Sequence, residues 1–297
     1  MKNRLYFIPA AAIVVSLLFV GTFCDLQISQ ALVHLDNGFS HFMAGFTVMP
    51  VSVVLGFILG TLLKMVTNKQ YKKVWQNIIL CVISFGLLIG GAYFLGDHFT
   101  SYHAYNLKTL RPLLNIVFGL VMMIPGYILG YIFYDKMEHK NIFKTYILIV
   151  ATVVFLIVFV MLIKSLFPRL RYTSVVRLGY EYFRPWYLTD FSLNKQFVAD
   201  HNLIDPEEIK SFPSGHSNIG MAAAFTLMFI PKFFPKLKDK EVYFFYGGFF
   251  FFLLVAFSRI LIGAHYLSDT MFAGTLALLV YFISNEIYLR KIQGGLL

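Results

Sequence analysis

Hydrophobic residues in this chain gather into eight runs separated by short polar stretches: Leu5–Cys24, Phe42–Leu63, Ile78–Leu95, Leu114–Tyr134, Tyr146–Phe167, Ser217–Phe234, Val242–Ile262 and Ser268–Leu289. Each is close to the ~20 residues that a helix needs to cross the hydrocarbon of a bilayer. The pattern predicts an all-α fold, a polytopic membrane bundle of about eight transmembrane helices. With no repeat, linker or low-complexity tract, the chain reads as a single integral-membrane domain over 1–297. Its first five spans lie in 1–167, and 168–297 forms a second half. Between the first two runs, the stretch from Asp25 to Ser40 places Ile28, Leu32 and Leu35 at helical spacing, which predicts a short helix lying in the outer interface.

Composition agrees with this reading. Hydrophobic residues make up 58% of the chain and charged residues 13%, with a mean hydropathy of +0.71; a soluble domain carries about 25% charged residues. The 33 Phe and 18 Tyr suit lipid-facing helices and interfacial belts. Lys2 and Arg4 ahead of an apolar stretch resemble a secretion signal, but no small-x-small cleavage site follows and Gly21-Thr22-Phe23-Cys24 is a poor lipobox, so Met1 to Cys24 reads as an uncleaved first span. Cys24 and Cys81 sit in or beside apolar runs and read as small hydrophobes, with no Cys-x-x-Cys spacing to suggest a metal site.

The formal charge of +10 does not point to nucleic acid, because the basic residues are dispersed through short loops. Lys64, Lys69, Lys72 and Lys73, then Lys136, Lys140 and Lys144, then Lys232, Lys236, Lys238 and Lys240 fall on one side of the membrane together with both termini. By the positive-inside rule that side is cytoplasmic, and the multi-pass protein belongs in the cell membrane with its other loops extracytoplasmic. The outer loop from Pro168 to His216 departs from the rule, since it holds Arg169, Arg171, Arg177 and Arg184 besides Lys195 and Lys210, and Lys164 and Arg259 sit near the outer ends of their spans. Arginine's planar fork binds phosphate bidentately, so a cluster where basic residues are disfavoured points to an anion site.

Three motifs converge on that outer surface. "RLGYEYFRP" runs from Arg177 to Pro185, "PSGH" from Pro213 to His216 opens the sixth span, and "SRILIGAHYLSD" from Ser258 to Asp269 joins the seventh span to the eighth. Arg177, Arg184 and Arg259 offer permanent positive charge. Ser214 and Gly215 lie at a helix N-terminus, where free N–H groups and the helix dipole favour an anion and glycine admits a close approach. His265 and Asp269 are four apart and would share a face at the start of the eighth helix. An Asp carboxylate on one ring nitrogen would leave the other free as a nucleophile, with His216 placed to protonate a leaving oxygen. Singly these residues have plain roles: helix breakers at Pro213 and Gly215, an interfacial histidine, a cap at Asp269, a snorkelling Arg259. Together they describe phosphoryl transfer through a phosphohistidine.

The set resembles the type 2 phosphatidic acid phosphatase superfamily, whose signature reads Lys-x6-Arg-Pro, Pro-Ser-Gly-His, then Ser-Arg-x5-His-x3-Asp. The second and third motifs are complete in Pro213–His216 and in Ser258, Arg259, His265 and Asp269; the first begins with Arg177 in place of lysine, and five spans precede it where common membrane members have three. The resemblance implies His265 as nucleophile, Asp269 as its orienter, His216 as acid and then base, and Arg177, Arg184, Ser214, Gly215 and Arg259 as phosphate ligands. It also implies chemistry without a metal or other cofactor. The expected substrate is a lipid phosphate in the bilayer: an isoprenyl diphosphate, phosphatidic acid or phosphatidylglycerol phosphate. A lipid phosphotransferase and a non-catalytic lipid-binding or transport relative are the alternatives, and no obligate protein partner is evident.

Overall fold

The computed structural model describes residues 5–68, 74–103, 109–139, 141–203 and 205–294. Lys2, Arg4, Lys69, Lys72, Lys73 and Lys140 lie outside them. The predicted all-α polytopic bundle is what the structure contains. Its helices are α1 (Phe7–Leu32), α2 (Gly38–Phe46), α3 (Met49–Thr67), α4 (Val74–His103), α5 (Arg111–Phe133), α6 (Ile142–Leu166), α7 (Tyr172–Leu178), α8 (Lys195–Asp200), α9 (Gly215–Leu227), α10 (Ile230–Phe233), α11 (Glu241–Leu261) and α12 (Leu267–Ile287). Among the described residues, 7 helices are long and apolar enough to span a membrane, α2 and α3 together supplying one of them.

Two apolar runs fold differently from expectation. The sixth, Ser217–Phe234, is split: α9 stops after 13 residues and a four-residue α10 follows. Pro231, which lacks the N–H needed inside a helix, stands in the first turn of α10. The first run does not end at Cys24. Helix α1 continues to Leu32 and absorbs Asp25 to Leu32, the first half of the stretch expected to lie in the interface, with Gly21, Asp25 and Ser29 on one buried face.

The chain forms two compact units. One comprises Ala44–Ile142 and Thr226–Phe244. Within it, Gly56 and Gly60 on α3 press against the carbonyls of Met123 and Tyr127, and Gly126 and Gly130 on α5 press against those of Val53 and Phe57. A Cβ at any of the four would collide with backbone, so these small residues set the distance at which α3 and α5 pack.

The other unit comprises Met1–Met43, Phe143–Phe225 and Phe245–Leu297, and brings α1 and α6 to the motif-bearing half. Helix α1 packs on α12. Thr152 on α6 hydrogen-bonds Ser284 on α12 at 2.9 Å, and Phe225 on α9 stacks on Tyr281 of α12 with centroids 4.3 Å apart. The segment between α6 and α9 has a small core of its own: Leu170, Val175, Leu193, Val198, Leu203 and Ile209. Its two ends are tied by a short parallel bridge, in which Arg169 N–H donates to Ile209 O at 2.8 Å and Ser211 N–H donates to Arg169 O at 2.9 Å.

Candidate active site

Helix α9 begins at Gly215 immediately after the Pro-Ser pair. Ser214 N–H donates to the main-chain oxygen of Asp269 at 3.1 Å, which fixes the start of α9 against the start of α12. A Cβ built on Gly215 meets nothing within 4 Å, so the first turn of α9 opens onto free space. An anion there would meet the positive end of the helix.

The third motif turns a corner. Helix α11 ends at Leu261, Gly263 adopts φ +65°, and the N–H groups of Ala264 and His265 return to Arg259 O at 3.1 and 3.3 Å. This turn seats His265 before α12 starts at Leu267. His265 is 2% exposed, and its Nδ1 lies 2.6 Å from the main-chain oxygen of Ser211. A carbonyl can only accept, so Nδ1 carries the proton and the lone pair resides on Nε2. The rings of His265 and His216 are 6.4 Å apart between centroids, close enough for one small tetrahedral group to touch both.

Burial presses the pKa of His265 well below the usual histidine value; the charges of Lys164 and Arg171, and less strongly that of Arg259, add to the depression against the opposing hydrogen bond from Ser211. The imidazole is therefore neutral at neutral pH, as an attacking nitrogen must be. In the detergent-solubilised protein, the ring-labelled His265 NMR resonance should titrate below about 6.5, the unperturbed value. Activity should fall only as pH drops through that lower value. A resonance titrating at or above 6.5 contradicts this environment.

The expected pairing of Asp269 with His265 is not what the structure has. One oxygen of Asp269 accepts from Arg169 Nη1 at 2.5 Å; the other accepts from Ser211 Oγ at 2.5 Å and from Tyr266 N–H at 2.9 Å. The spacing of four would place both side chains on one face only inside a helix. His265 precedes α12, and Asp269, in its first turn, closes the helix's own N-terminus. The group that orients His265 is the Ser211 carbonyl.

Arg177 and Arg184 likewise depart from expectation. Helix α7 ends at Leu178, and Gly179 at φ +131° turns the chain between Arg177 and Arg184. Arg177 pairs with Glu208, and Arg184 donates to the carbonyls of Glu181 and Phe183 at 2.6 and 2.9 Å. The cations that act on His265 are Lys164, Arg171 and Arg259. Lys164 and Arg171 have the Lys-x6-Arg spacing of the superfamily's first motif with its lysine intact, Tyr172 standing where that motif has proline. That spacing was the available signal. Glu207 gathers this group, 3.6 Å from Lys164, 3.8 Å from Arg171 and 2.7 Å from Lys210. Burial opposes the charge of Glu207, but the Lys210 hydrogen bond and the fields of Lys164, Lys210 and Arg171 hold its pKa below the ordinary carboxylate value.

Sequence reasoning left Asp25 and Ser211 without a role and counted Arg169 only among the outer-loop arginines of an anion site. Arg169 is 4% exposed and lies between Asp25 and Asp269. Burial alone would discharge a cation; the two carboxylates outweigh it and raise the Arg169 pKa above its usual value.

The PAP2 superfamily model matches residues 145–293, from the first turn of α6 to just beyond the end of α12. The chain belongs to that superfamily, whose members are in general phosphatases acting on phosphate esters. No curated protein and no solved structure matches the chain.

Proposed function

We propose that the protein is a membrane phosphatase that hydrolyses a lipid phosphomonoester or diphosphate through a phosphohistidine at His265. The observation that carries this reading is the buried His265 with its Nδ1 held by the Ser211 carbonyl, its ring 6.4 Å from that of a second histidine beside the open N-terminus of α9. Lys164, Arg171 and Arg259, with the N–H of Gly215 at the start of α9, neutralise the phosphoryl oxygens. Nε2 of His265 attacks phosphorus while the bond to the leaving oxygen breaks, and His216 delivers the proton to that oxygen. His216 then takes a proton from water, which attacks the phosphohistidine, releases inorganic phosphate and restores His265. The step calls for no metal, since fixed cations and helix-end amides supply the charge stabilisation.

A lipid substrate is favoured by where these groups lie. Lys164, Arg259 and Asp269 stand within the last or first turn of apolar helices long enough to span a bilayer. Beside them Trp186 stacks on Phe212 at 5.5 Å and meets Phe272 at 5.4 Å, while Tyr187 and Phe191 are exposed, as suits a headgroup-level surface. The purified protein should release phosphate from phosphatidic acid, phosphatidylglycerol phosphate or an isoprenyl diphosphate far faster than from glycerol 3-phosphate. Activity should survive excess EDTA and fall with vanadate, which copies the five-coordinate transition state. Loss in EDTA with rescue by Mg²⁺, or equal rates on the soluble ester, would overturn the reading.

The lysine asymmetry supports an extracytoplasmic site. With Cys24 and Cys81 replaced by serine, Asn202→Cys should react with an impermeant maleimide in intact cells. Labelling only after membrane disruption would invert the orientation.

A further inference from the structure

Helix α1 lies outside the stretch matched by the superfamily, yet it puts a carboxylate into the site. Asp25 is 3% exposed. Its Oδ1 accepts from Ser268 N–H at 2.9 Å, and its Oδ2 accepts from Arg169 Nη2 at 2.9 Å and from the Ser268 hydroxyl. One turn earlier, a Cβ on Gly21 would stand 2.6 Å from Ser268 N and 3.1 Å from Asp25 Oδ1. The missing side chain is what lets α1 come close enough for Asp25 to reach the start of α12.

Arg169 continues the contact. Its Nη1 donates to Asp269 at 2.5 Å and to Ser268 Oγ at 3.0 Å, its Nε donates to Arg184 O at 3.0 Å, and its guanidinium lies over the Tyr266 ring at 4.1 Å. The same residue grips Ser211 through the backbone, accepting Ser211 N–H at 2.9 Å. Asp269 holds the Ser211 hydroxyl at 2.5 Å, and the Ser211 carbonyl holds His265 at 2.6 Å. An unbroken line of short polar contacts thus runs Asp25, Arg169, Asp269, Ser211, His265. Two carboxylates share one buried guanidinium at the N-terminus of α12, where they also accept from the N–H groups of Tyr266 and Ser268. In such a cluster the removal of one member leaves the others uncompensated, so the geometry of all depends on each.

We infer that Asp25 and Arg169 are positioning residues for phosphoryl transfer, holding Asp269 and Ser211 so that Nε2 of His265 is aimed at phosphorus. The inference rests on the reading of His265 as nucleophile. A residue that only staples α1 to α12 would change stability; a positioning residue changes the chemical step, where a misplacement of about 1 Å costs on the order of 10²-fold.

The test uses the full-length protein in detergent, with dioctanoyl phosphatidic acid and farnesyl diphosphate as substrates, variants being compared on whichever the wild type turns over faster. Asp25→Asn keeps an oxygen for Ser268 N–H and turns a donor towards Arg169. It should lower kcat by ~10- to 100-fold with KM within about threefold. Arg169→Lys, which keeps the charge and loses the fork, should fall between wild type and Arg169→Gln. The Asp25→Asn/Arg169→Gln double variant should be no slower than Arg169→Gln within about threefold, since both act through one contact. If Asp25→Asn does not survive extraction, Ser268→Ala, which removes a hydroxyl shared by Asp25 and Arg169, should show the same kcat loss in milder form. Wild-type kcat with only a lowered unfolding temperature, or fully multiplicative losses in the double variant, overturns the inference. Undiminished turnover in His265→Ala would instead overturn the assignment of the nucleophile on which it rests.

Discussion

Replacing His265 with alanine should lower turnover by about 10⁴- to 10⁶-fold, the range over which removal of a member of a covalent catalytic set is felt. His265 is the buried imidazole whose protonated nitrogen is committed to Ser211, so no second orientation of the ring offers a substitute nucleophile. Loss of the ring removes one hydrogen bond to a main-chain oxygen and leaves the Arg169–Asp269 cluster in place, so the variant should remain folded in detergent. Asp269→Asn should be slower than wild type by less, because Asp269 supports the Ser211 segment and does not touch the imidazole. Steady-state phosphate release, with unfolding temperature measured alongside, checks both. An alanine variant within tenfold of wild type would remove His265 from the chemistry.

Arg171→Ala should cost ~10²–10³ in kcat/KM, the usual effect of losing one preorganised donor to a developing charge. Arg177→Ala should stay within a few-fold of wild type. The two residues are six positions apart and chemically identical, so the contrast isolates position. Arg171 exerts its field on His265. Arg177, 41% exposed, is engaged by Glu208, and an ion pair this open contributes about 0–1 kcal/mol to stability. Lys164→Met should behave like Arg171→Ala, for the same reason. Equal losses at Arg171 and Arg177 would return the first motif to the Arg177–Pro185 segment and contradict the proposal that Lys164 and Arg171 bind the phosphate.

Much of this architecture could be read from residue types alone. Runs of about twenty apolar residues must become helices in a bilayer, because no other local structure satisfies their backbone without water. Pro213–His216 and Ser258–Asp269 carried both histidines and Arg259, and the structure joins these segments through Ser214 N–H and Asp269 O. What escaped were facts that depend on where a helix starts or stops and on what it packs against. Asp25 looks like the polar end of a span; only the packing of Gly21 on Ser268 shows that the helix runs on with its carboxylate turned inward. The His265–Asp269 spacing implies a shared face only if both are helical, and α12 begins two residues too late. Lys164 and Arg171 were hidden by one residue, Tyr172 in the place of proline, while Arg184-Pro185 offered the expected dipeptide on a segment whose guanidinium bonds its own loop. The break between α9 and α10 follows from Pro231, which hydropathy averages across.

The claim on which everything else depends is that phosphate passes through His265. Wild-type protein mixed with ³²P-labelled phosphatidic acid or isoprenyl diphosphate, quenched in alkaline detergent within a turnover and digested, should yield one labelled peptide. That peptide should contain His265, keep its label in alkali, lose it in acid, and be absent from the His265→Ala variant. Label on a different peptide, or a linkage stable in acid as a phosphoserine at Ser214 would be, contradicts the mechanism.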